Sequence, residues 1–300
     1  MVIQWFPGHM TKALRMMENE LKAVDVVIYV LDSRAPFSCI NPKFGTMFNQ
    51  MPILYVFSKI DMANAEIVKG WREYFDKPNT RSITIDSTAS GAGKKIPTLI
   101  NELCAEKIAR AKAKNIQPLI RAMVIGVPNS GKSTLINNLC GKAKTKTANI
   151  AGVTRAKQWV RISDNLEILD TPGTLWPAFD NNTVAKHLAY IGSIKENVLD
   201  LNELAFDFIA EMRDKDKSVL ENRYNISITD EMETIDVFEA ICEARKHVMR
   251  GGDYDYDRCA IAIINDFKTG KMGQITLEKV SDIKLLTRND RLRGENNAGI

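Results

Sequence analysis

The 300-residue chain has few cysteines and no long apolar run. Its five cysteines are scattered and form no CxxC pair, which excludes a disulfide framework and a cysteine-based zinc site and indicates reduced thiols. The densest apolar stretch, 24–31, contains Asp25 and is too short to span a bilayer. The first ten residues lack the charged start and apolar stretch of a signal peptide. We therefore expect a cytoplasmic protein with no membrane partner.

Short apolar runs alternate with amphipathic stretches over the first 180 residues, a pattern typical of parallel α/β sheets. It predicts strands at 26–31, 53–57, 82–85, 122–125, 158–162 and 167–169. Beyond residue 177 the pattern favours helices, at 183–194, 202–213, 234–249 and 256–268. We expect an α/β domain over 1–178, with helices on both faces of a mostly parallel sheet, and a smaller, mainly α-helical domain over 179–300.

One segment matches a phosphate-binding loop. Residues 126–133, Gly-Val-Pro-Asn-Ser-Gly-Lys-Ser, fit the pattern GxxxxGK followed by Ser or Thr, between the strand RAMVIG and the helical stretch STLINNL. Backbone N–H groups of such a loop and the N-terminus of the helix hold phosphates. Lys132 is predicted to reach the β and γ phosphates, and the Ser133 hydroxyl to bind Mg²⁺. The predicted nucleotide contacts of the loop are Asn129, Ser130, Gly131, Lys132, Ser133 and Thr134.

Two later elements complete a nucleotide switch. Asp170-Thr-Pro-Gly173 ends the apolar run LEILD, where a carboxylate can hold Mg²⁺ through water and the Gly173 N–H can meet the γ phosphate. Thr154 lies between the two motifs and would bind Mg²⁺ only when the γ phosphate is present. A DxxG pattern or a loop threonine alone is a weak signal. Their order after a phosphate loop makes both strong.

The nucleotide base is predicted from Ser58-Lys59-Ile60-Asp61, which follows the strand ILYVF. A carboxylate at Asp61 can accept hydrogen bonds from N1–H and the 2-amino group of guanine, donors that adenine lacks. Lys59 can lay its stem along the base. The motif therefore favours GTP, and disfavours the alternative of a P-loop ATPase or kinase. A solvated Lys/Asp pair after a strand is the other interpretation.

Two details accompany the base motif. Its first position is usually Asn or Thr, and we expect the shorter hydroxyl of Ser58 to lose one bracing bond to the phosphate loop. Asp86 and Ser87 follow the strand SITI and are predicted to form the loop that backs the base at O6.

The motifs stand in an unusual order. Ordinary small GTPases begin with the phosphate loop, whereas here the base motif at 58–61 and the loop at 86–88 precede it. Domain termini are often close together at the surface, so a chain can be rejoined there and reopened elsewhere. The sequence therefore predicts a circularly permuted GTPase domain.

Charge is divided between the two parts of the chain. Residues 1–180 carry 24 Lys and Arg against 15 Asp and Glu, a balance of +9, and residues 181–300 carry 17 against 22, a balance of −5. Basic residues concentrate at 107–121 and 142–161. Each run alone is equally well explained as a solvated face. Two runs flanking a nucleotide site favour a polyanionic partner, most simply RNA.

With these motifs in place, the chain resembles the bacterial ribosome biogenesis GTPase A family, the YlqF-like circularly permuted GTPases. The resemblance covers nearly the whole length and includes IQWFPGHM, LDSRAPFSCINP, QWV, LWP, GGDYDYD and DFKTGKMG. It implies a protein, expected to be monomeric, that binds GTP and GDP and acts on the large (50S) ribosomal subunit precursor late in assembly. The particle would stimulate hydrolysis, and hydrolysis would drive release. The alternative is a non-hydrolysing, GTP-dependent RNA-binding assembly factor.

The resemblance also bears on catalysis. Thr174 stands where ordinary GTPases carry a water-orienting Gln, and Thr is too short for that role. The family implies that His9 orients the water, although a histidine near a chain terminus is more often a surface or packing residue. It also implies a K⁺ ion bound beside the phosphates by Asn129, which could instead be a turn residue. His187, in a partly apolar helical stretch, is predicted to be structural.

Overall fold

The computed structural model describes residues 8–86, 89, 91, 93–140, 158–176 and 179–287. Six strands form one sheet in the order β3-β2-β1-β4-β6-β5. Every pair is parallel except β5 with β6. All six predicted strands are present, and the mostly parallel α/β sheet is confirmed. Their bounds are β1 Val26–Asp32, β2 Ile53–Ser58, β3 Thr80–Thr84, β4 Ile120–Ile125, β5 Gln158–Ser163 and β6 Leu166–Asp170.

Helices cover both faces of the sheet, as predicted. Because side chains alternate along a strand, Val26, Ile28 and Val30 of β1 share one buried cluster with α4 and α6. The intervening Val27 and Leu31 face a second cluster with α1 and α3. This double burial explains why β1 is an unbroken apolar run. The helices of this part are α1 Gly8–Glu20, α2 Pro42–Met47, α3 Ala65–Phe75, α4 Ile96–Leu103, α5 Ala105–Ala113 and α6 Lys132–Cys140.

From residue 182 the described chain is mainly helical, and Asn181 and Asp200 cap its first two α-helices through their side-chain oxygens. The helix predicted at 234–249 is too long, because α10 ends at Ala244 and Lys246 adopts a positive φ of 56°. A short bridge between Val248 and Tyr254 then replaces the helix. The bounds are α7 Asn182–Tyr190, α8 Leu201–Asp216, α9 Ser218–Tyr224, α10 Thr234–Ala244, α11 Tyr256–Lys268 and α12 Ile283–Leu286.

The helical segment packs directly on one face of the sheet. A single buried cluster contains Leu31 and Phe57 of the sheet together with Phe208 of α8 and Phe267 of α11. The predicted division after residue 178 lies at residues outside the described part, and the two-domain boundary stays a prediction. In the described ranges no helix is both long and apolar enough to cross a membrane.

Candidate functional site

The candidate site lies at the carboxyl ends of the parallel strands. Strands β1, β2, β4 and β6 run in the same direction, so the segments that follow them meet at one edge of the sheet. Ligands of α/β proteins bind at this edge. The topology therefore brings together motifs that are spread from residue 58 to residue 173.

The phosphate loop has a backbone that requires glycine. Gly126 has a φ of 150°, and a Cβ there would lie 2.4 Å from the carbonyl oxygen of Val30 in β1. Gly131 and Asn129 also have positive φ values, of 93° and 59°. The loop leads directly into α6, which begins at Lys132. This strand–loop–helix arrangement is the one that the motif predicts.

Lys132 is the cation of the loop and is only 7% exposed. Its Nζ donates to the carbonyl oxygens of Val127 (2.7 Å) and Gly126 (3.1 Å). Burial lowers the pKa of Lys132 to about 8, although the nearby charge of Asp170 opposes this effect. A phosphate group at this position would place further negative charge beside the buried ammonium.

The DxxG segment lies against the phosphate loop. The hydroxyl of Thr171 donates to the carbonyl oxygen of Val124 in β4 (2.5 Å), and the N–H of Thr174 donates to that of Gly126 (3.2 Å). A Cβ on Gly173 would lie 2.7 Å from Cα of Pro128 and 3.0 Å from Nζ of Lys132. Only glycine permits this approach, and it places the Gly173 backbone beside the lysine predicted to bind phosphate.

The base motif corrects one expectation. Ser58 is buried at the end of β2, and its Oγ lies 2.6 Å from the carbonyl oxygen of Ser130 and 3.0 Å from that of Leu31. The predicted loss of a bracing bond to the phosphate loop is therefore wrong. The close approach of the loop to β2 lets a hydroxyl as short as that of serine reach it.

The rest of the base motif forms a tight turn. Lys59 has a left-handed backbone with φ 55°, followed by a 3₁₀ turn, Ile60–Met62, that presents an exposed Asp61. The N–H of Ile60 donates to the carbonyl oxygen of Ile85 at 3.5 Å, which places the loop containing Asp86 beside the motif. Ser87 lies outside the described residues.

The helical segment reaches the same loops, which the sequence did not predict. Asn129 Nδ2 donates to the carbonyl oxygen of Gly192 (2.5 Å), and the hydroxyl of Ser193 donates to that of Pro128 (2.8 Å). On the base side, Gln274 Nε2 donates to the carbonyl oxygen of Asp61 at 3.4 Å. A K⁺ ion binds an amide through its oxygen, and the hydrogen bond from Asn129 Nδ2 to Gly192 holds the amide that carries this oxygen.

The N-terminal helix contacts the segment that follows DxxG. Met10 of α1 is buried, and its Sδ accepts a hydrogen bond from the N–H of Leu175 at 3.4 Å. His9 lies in the same first turn, but its side chain, like Thr154, is outside the described part of the chain. Thr174 is fully buried, and its hydroxyl has no hydrogen-bond partner among the described residues.

Comparison with known proteins identifies the family. A family model described as a 50S ribosome-binding GTPase matches residues 121–240. Ribosome biogenesis GTPase A from Bacillus cereus is 40% identical over 279 residues, which cover 93% of this chain and 94% of that protein. The chain belongs to the ribosome biogenesis GTPase A family. It is a GTP hydrolase with a permuted domain, and the family match begins inside β4, after the base motif.

Solved structures agree with this family assignment. A GDP-bound YlqF aligns with a TM-score of 0.62 and 25% identity, covering 89% of this chain and 100% of that one. A GNP-bound YlqF from T. maritima aligns with a TM-score of 0.60 and 25% identity, over 89% of this chain and 98% of that one. The predicted family, α/β fold and GTPase activity of this chain are confirmed.

The predicted Mg²⁺ ligands of this GTPase suit the ion. GTP hydrolysis in such proteins typically depends on Mg²⁺, which prefers hydroxyl, carboxylate and phosphate oxygens. Ser133 stands in the first turn of α6 and Asp170 ends β6, beside the phosphate loop. Among the described residues no three Asp, Glu, His or Cys side chains converge on one metal position.

Sequence reasoning about this GTPase missed two buried charged side chains near the base motif. Asp32 ends β1 and pairs with Arg34 and with Lys59. Asp32 and Arg34 both lie in the segment LDSRAPFSCINP, directly after a wholly apolar strand. Functional residues of a parallel sheet lie at this end of its strands, so the position of the two charges was the signal that could have indicated them.

Proposed function

We propose that this GTPase binds the large ribosomal subunit precursor late in assembly, and that GTP hydrolysis on or near the particle drives its release. The observation that carries this proposal is the contact of the helical segment with the phosphate loop, through Asn129–Gly192 and Ser193–Pro128. Any movement of the phosphate loop on hydrolysis would act on this segment directly. The nucleotide state could then alter a surface far larger than the nucleotide site.

Within this proposal, the residues have separate roles. Asp61 recognises guanine, and Lys132 neutralises the phosphates. Ser133 and Asp170 hold Mg²⁺, with Thr154 added when the γ phosphate is bound. The remaining residues of the proposed GTP site are Ser58, Lys59, Ile60, Asp86, Ser87, Asn129, Ser130, Gly131, Thr134 and Gly173.

We propose that α5 contributes to ribosomal RNA binding. It carries Lys107, Arg110 and Lys112, and Lys114 follows at its C-terminal end. Lys107 and Arg110 pair with Asp25 and Glu106, whereas Lys112 and Lys114 have no ion-pair partner within the described residues. Unpaired exposed lysines can neutralise RNA phosphates with release of counterions. Ribosome assembly would place the protein in the cytoplasm, and a monomer suffices for this model.

His9 is the proposed water-orienting residue. Its support is the position of the first turn of α1, where Met10 contacts the backbone of Leu175, two residues after Gly173 of the DxxG segment. A neutral imidazole can accept a hydrogen bond from the attacking water. His9→Ala should abolish most particle-stimulated turnover while GTP and particle binding persist. Loss of GTP binding in this variant would instead indicate a structural histidine.

The assembly proposal is tested by co-sedimentation with large-subunit precursors from depleted cells. We expect binding with a non-hydrolysable GTP analogue, weak binding with GDP, and release when GTP is hydrolysed. Asp61→Asn supplies the control, since exchange of the acceptor for an amide should transfer the same cycle to xanthosine triphosphate. Equal binding with GDP and the analogue would contradict the proposal. Comparison of turnover in K⁺ and Na⁺, with Asn129→Ala as the variant, tests the proposed K⁺ site.

A further inference from the structure

A buried carboxylate connects β1 with the base motif. Asp32 is fully buried, and its two oxygens accept from three cationic nitrogens: Arg34 Nε on Oδ1 (2.9 Å), and Arg34 Nη2 and Lys59 Nζ on Oδ2 (both 2.8 Å). The carboxylate also accepts from the backbone N–H of Arg34 at 3.1 Å. Despite complete burial, these two cations hold the pKa of Asp32 well below its usual range.

The pairing acts on a residue of the base motif. Asp32 and Ser58 are register partners at the ends of β1 and β2, so Lys59 follows directly beside the carboxylate. Lys59 has a strained left-handed backbone, and its side chain is 23% exposed. A lysine side chain normally loses much conformational entropy when it is fixed. The ion pair with Asp32 fixes this side chain before any nucleotide arrives.

Arg34 extends the same network to the helical segment. Its Nη1 donates to the carbonyl oxygens of Phe267 (2.9 Å) and Lys268 (3.1 Å), at the C-terminal end of α11. A cation is stabilised there by the helix dipole. The guanidinium also lies 5.1 Å from the centre of the Phe267 ring, and its residue is 1% exposed. One planar guanidinium therefore joins Asp32 to a helix more than 200 residues further along the chain.

We propose that Asp32 and Arg34 are positioning residues for guanine recognition: Asp32 fixes Lys59 against the base, and Arg34 makes that position depend on the docking of α11. This inference rests on the proposed base site at 58–61. The affinity for guanine nucleotides then depends on the helical segment as well as on the base motif. A particle that displaces the end of α11 would loosen Lys59 and favour nucleotide release.

The test is equilibrium binding of GTP and GDP to the full-length protein. Asp32→Asn should weaken both nucleotides equally, by about tenfold, because both carry guanine and one lysine side chain must then be ordered on binding. Asp25→Asn is the matched control. Asp25 lies before the opposite end of β1 and pairs with Lys107 at 2.6 Å, remote from the site. The control variant should keep the parental affinity.

A double-mutant cycle separates positioning from general destabilisation. If Asp32 acts through Lys59, then Asp32→Asn should cause no further loss of affinity in a Lys59→Met background. Additive losses, or an equal loss in Asp25→Asn, would overturn the proposal. Should Asp32→Asn fail to fold, Arg34→Lys replaces it in the cycle, because lysine keeps the charge but cannot bridge Asp32 and α11.

Arg34→Lys also tests the connection to α11. We expect weaker binding of both nucleotides and faster amide hydrogen exchange at Thr269 and Gly270, whose N–H groups donate to the carbonyl oxygens of Asn265 (2.9 Å) and Phe267 (3.1 Å) at the end of α11. Weaker binding with unchanged exchange would remove α11 from the proposal. Failure of the base site itself is recognised separately, because Asp61→Asn would then show no gain for xanthosine triphosphate.

Discussion

His187 gives a sharp prediction for the pH dependence of stability. The imidazole of this α7 residue is 1% exposed, with Nδ1 2.7 Å from Glu278 Oε1 and Nε2 2.8 Å from Glu211 Oε1. Lys215 Nζ also donates to Glu211 Oε1, at 2.6 Å. Only a protonated imidazole can donate to both carboxylates. Burial lowers the pKa of His187, but the two glutamates outweigh burial and raise it to about 9.

The magnitude follows from the folded and ordinary pKa values of this histidine. A rise from 6.5 to about 9 corresponds to about 3 kcal/mol of stability. Because the folded pKa is raised, this contribution is complete below about pH 6.5 and is lost as the pH rises through about 9. Between pH 7 and pH 9.5 the loss should be about 2 kcal/mol. That is a large fraction of a typical stability of ~5–15 kcal/mol.

Urea unfolding of the parent and of His187→Gln, from pH 7 to pH 9.5, measures this loss. The parent alone is not diagnostic, because the lowered pKa of Lys132, about 8, makes stability rise over the same range. Both proteins share Lys132, so the difference in unfolding free energy between them isolates His187. We expect the difference to shrink by about 2 kcal/mol as the pH rises. A constant difference would refute the assignment of a buried imidazolium.

Three further outcomes are expected. GTP binding should take up a proton above pH 8, because a bound phosphate raises the lowered pKa of Lys132. The affinity for GTP should therefore fall as the pH rises from 8 towards 10. Calorimetry in buffers of different ionisation enthalpy would measure the proton uptake. Gly173→Ala should lower kcat by about 10²-fold in a turnover assay, since its Cβ would lie 2.7 Å from Cα of Pro128 and displace the segment. Lys112→Gln with Lys114→Gln should lower the salt slope of particle binding by about 1 to 2 in a co-sedimentation series.

Each of these outcomes has a clear contrary result. Binding enthalpies that are the same in every buffer would mean that Lys132 is already protonated at pH 8.5. Parental turnover in Gly173→Ala would show that the DxxG backbone need not approach the phosphate loop. The double lysine variant should keep its GTP affinity, and an unchanged salt slope would place α5 away from the RNA.

The sequence by itself determined the features that depend on neighbouring residues. The apolar run at 26–31 predicted a strand, and β1 is buried along its whole length. The loop at 126–133 carries glycine at positions 126 and 131, where the backbone needs φ values of 150° and 93°. The order of the motifs along the chain likewise predicted a circularly permuted GTPase domain. Helix ends were less certain, because the positive φ of Lys246 has no local signature.

Only the tertiary structure decided which partners the polar side chains have. Ser58 retains its bond to Ser130 because two segments 72 residues apart approach within 2.6 Å. Arg34 is buried because Asp32 and the carbonyl groups at the end of α11 satisfy its guanidinium together. A charged residue is exposed by default, since its burial is unfavourable unless an opposite charge and hydrogen bonds compensate for lost water. Those compensating groups come from distant parts of the chain, and their arrangement exists only in the folded protein.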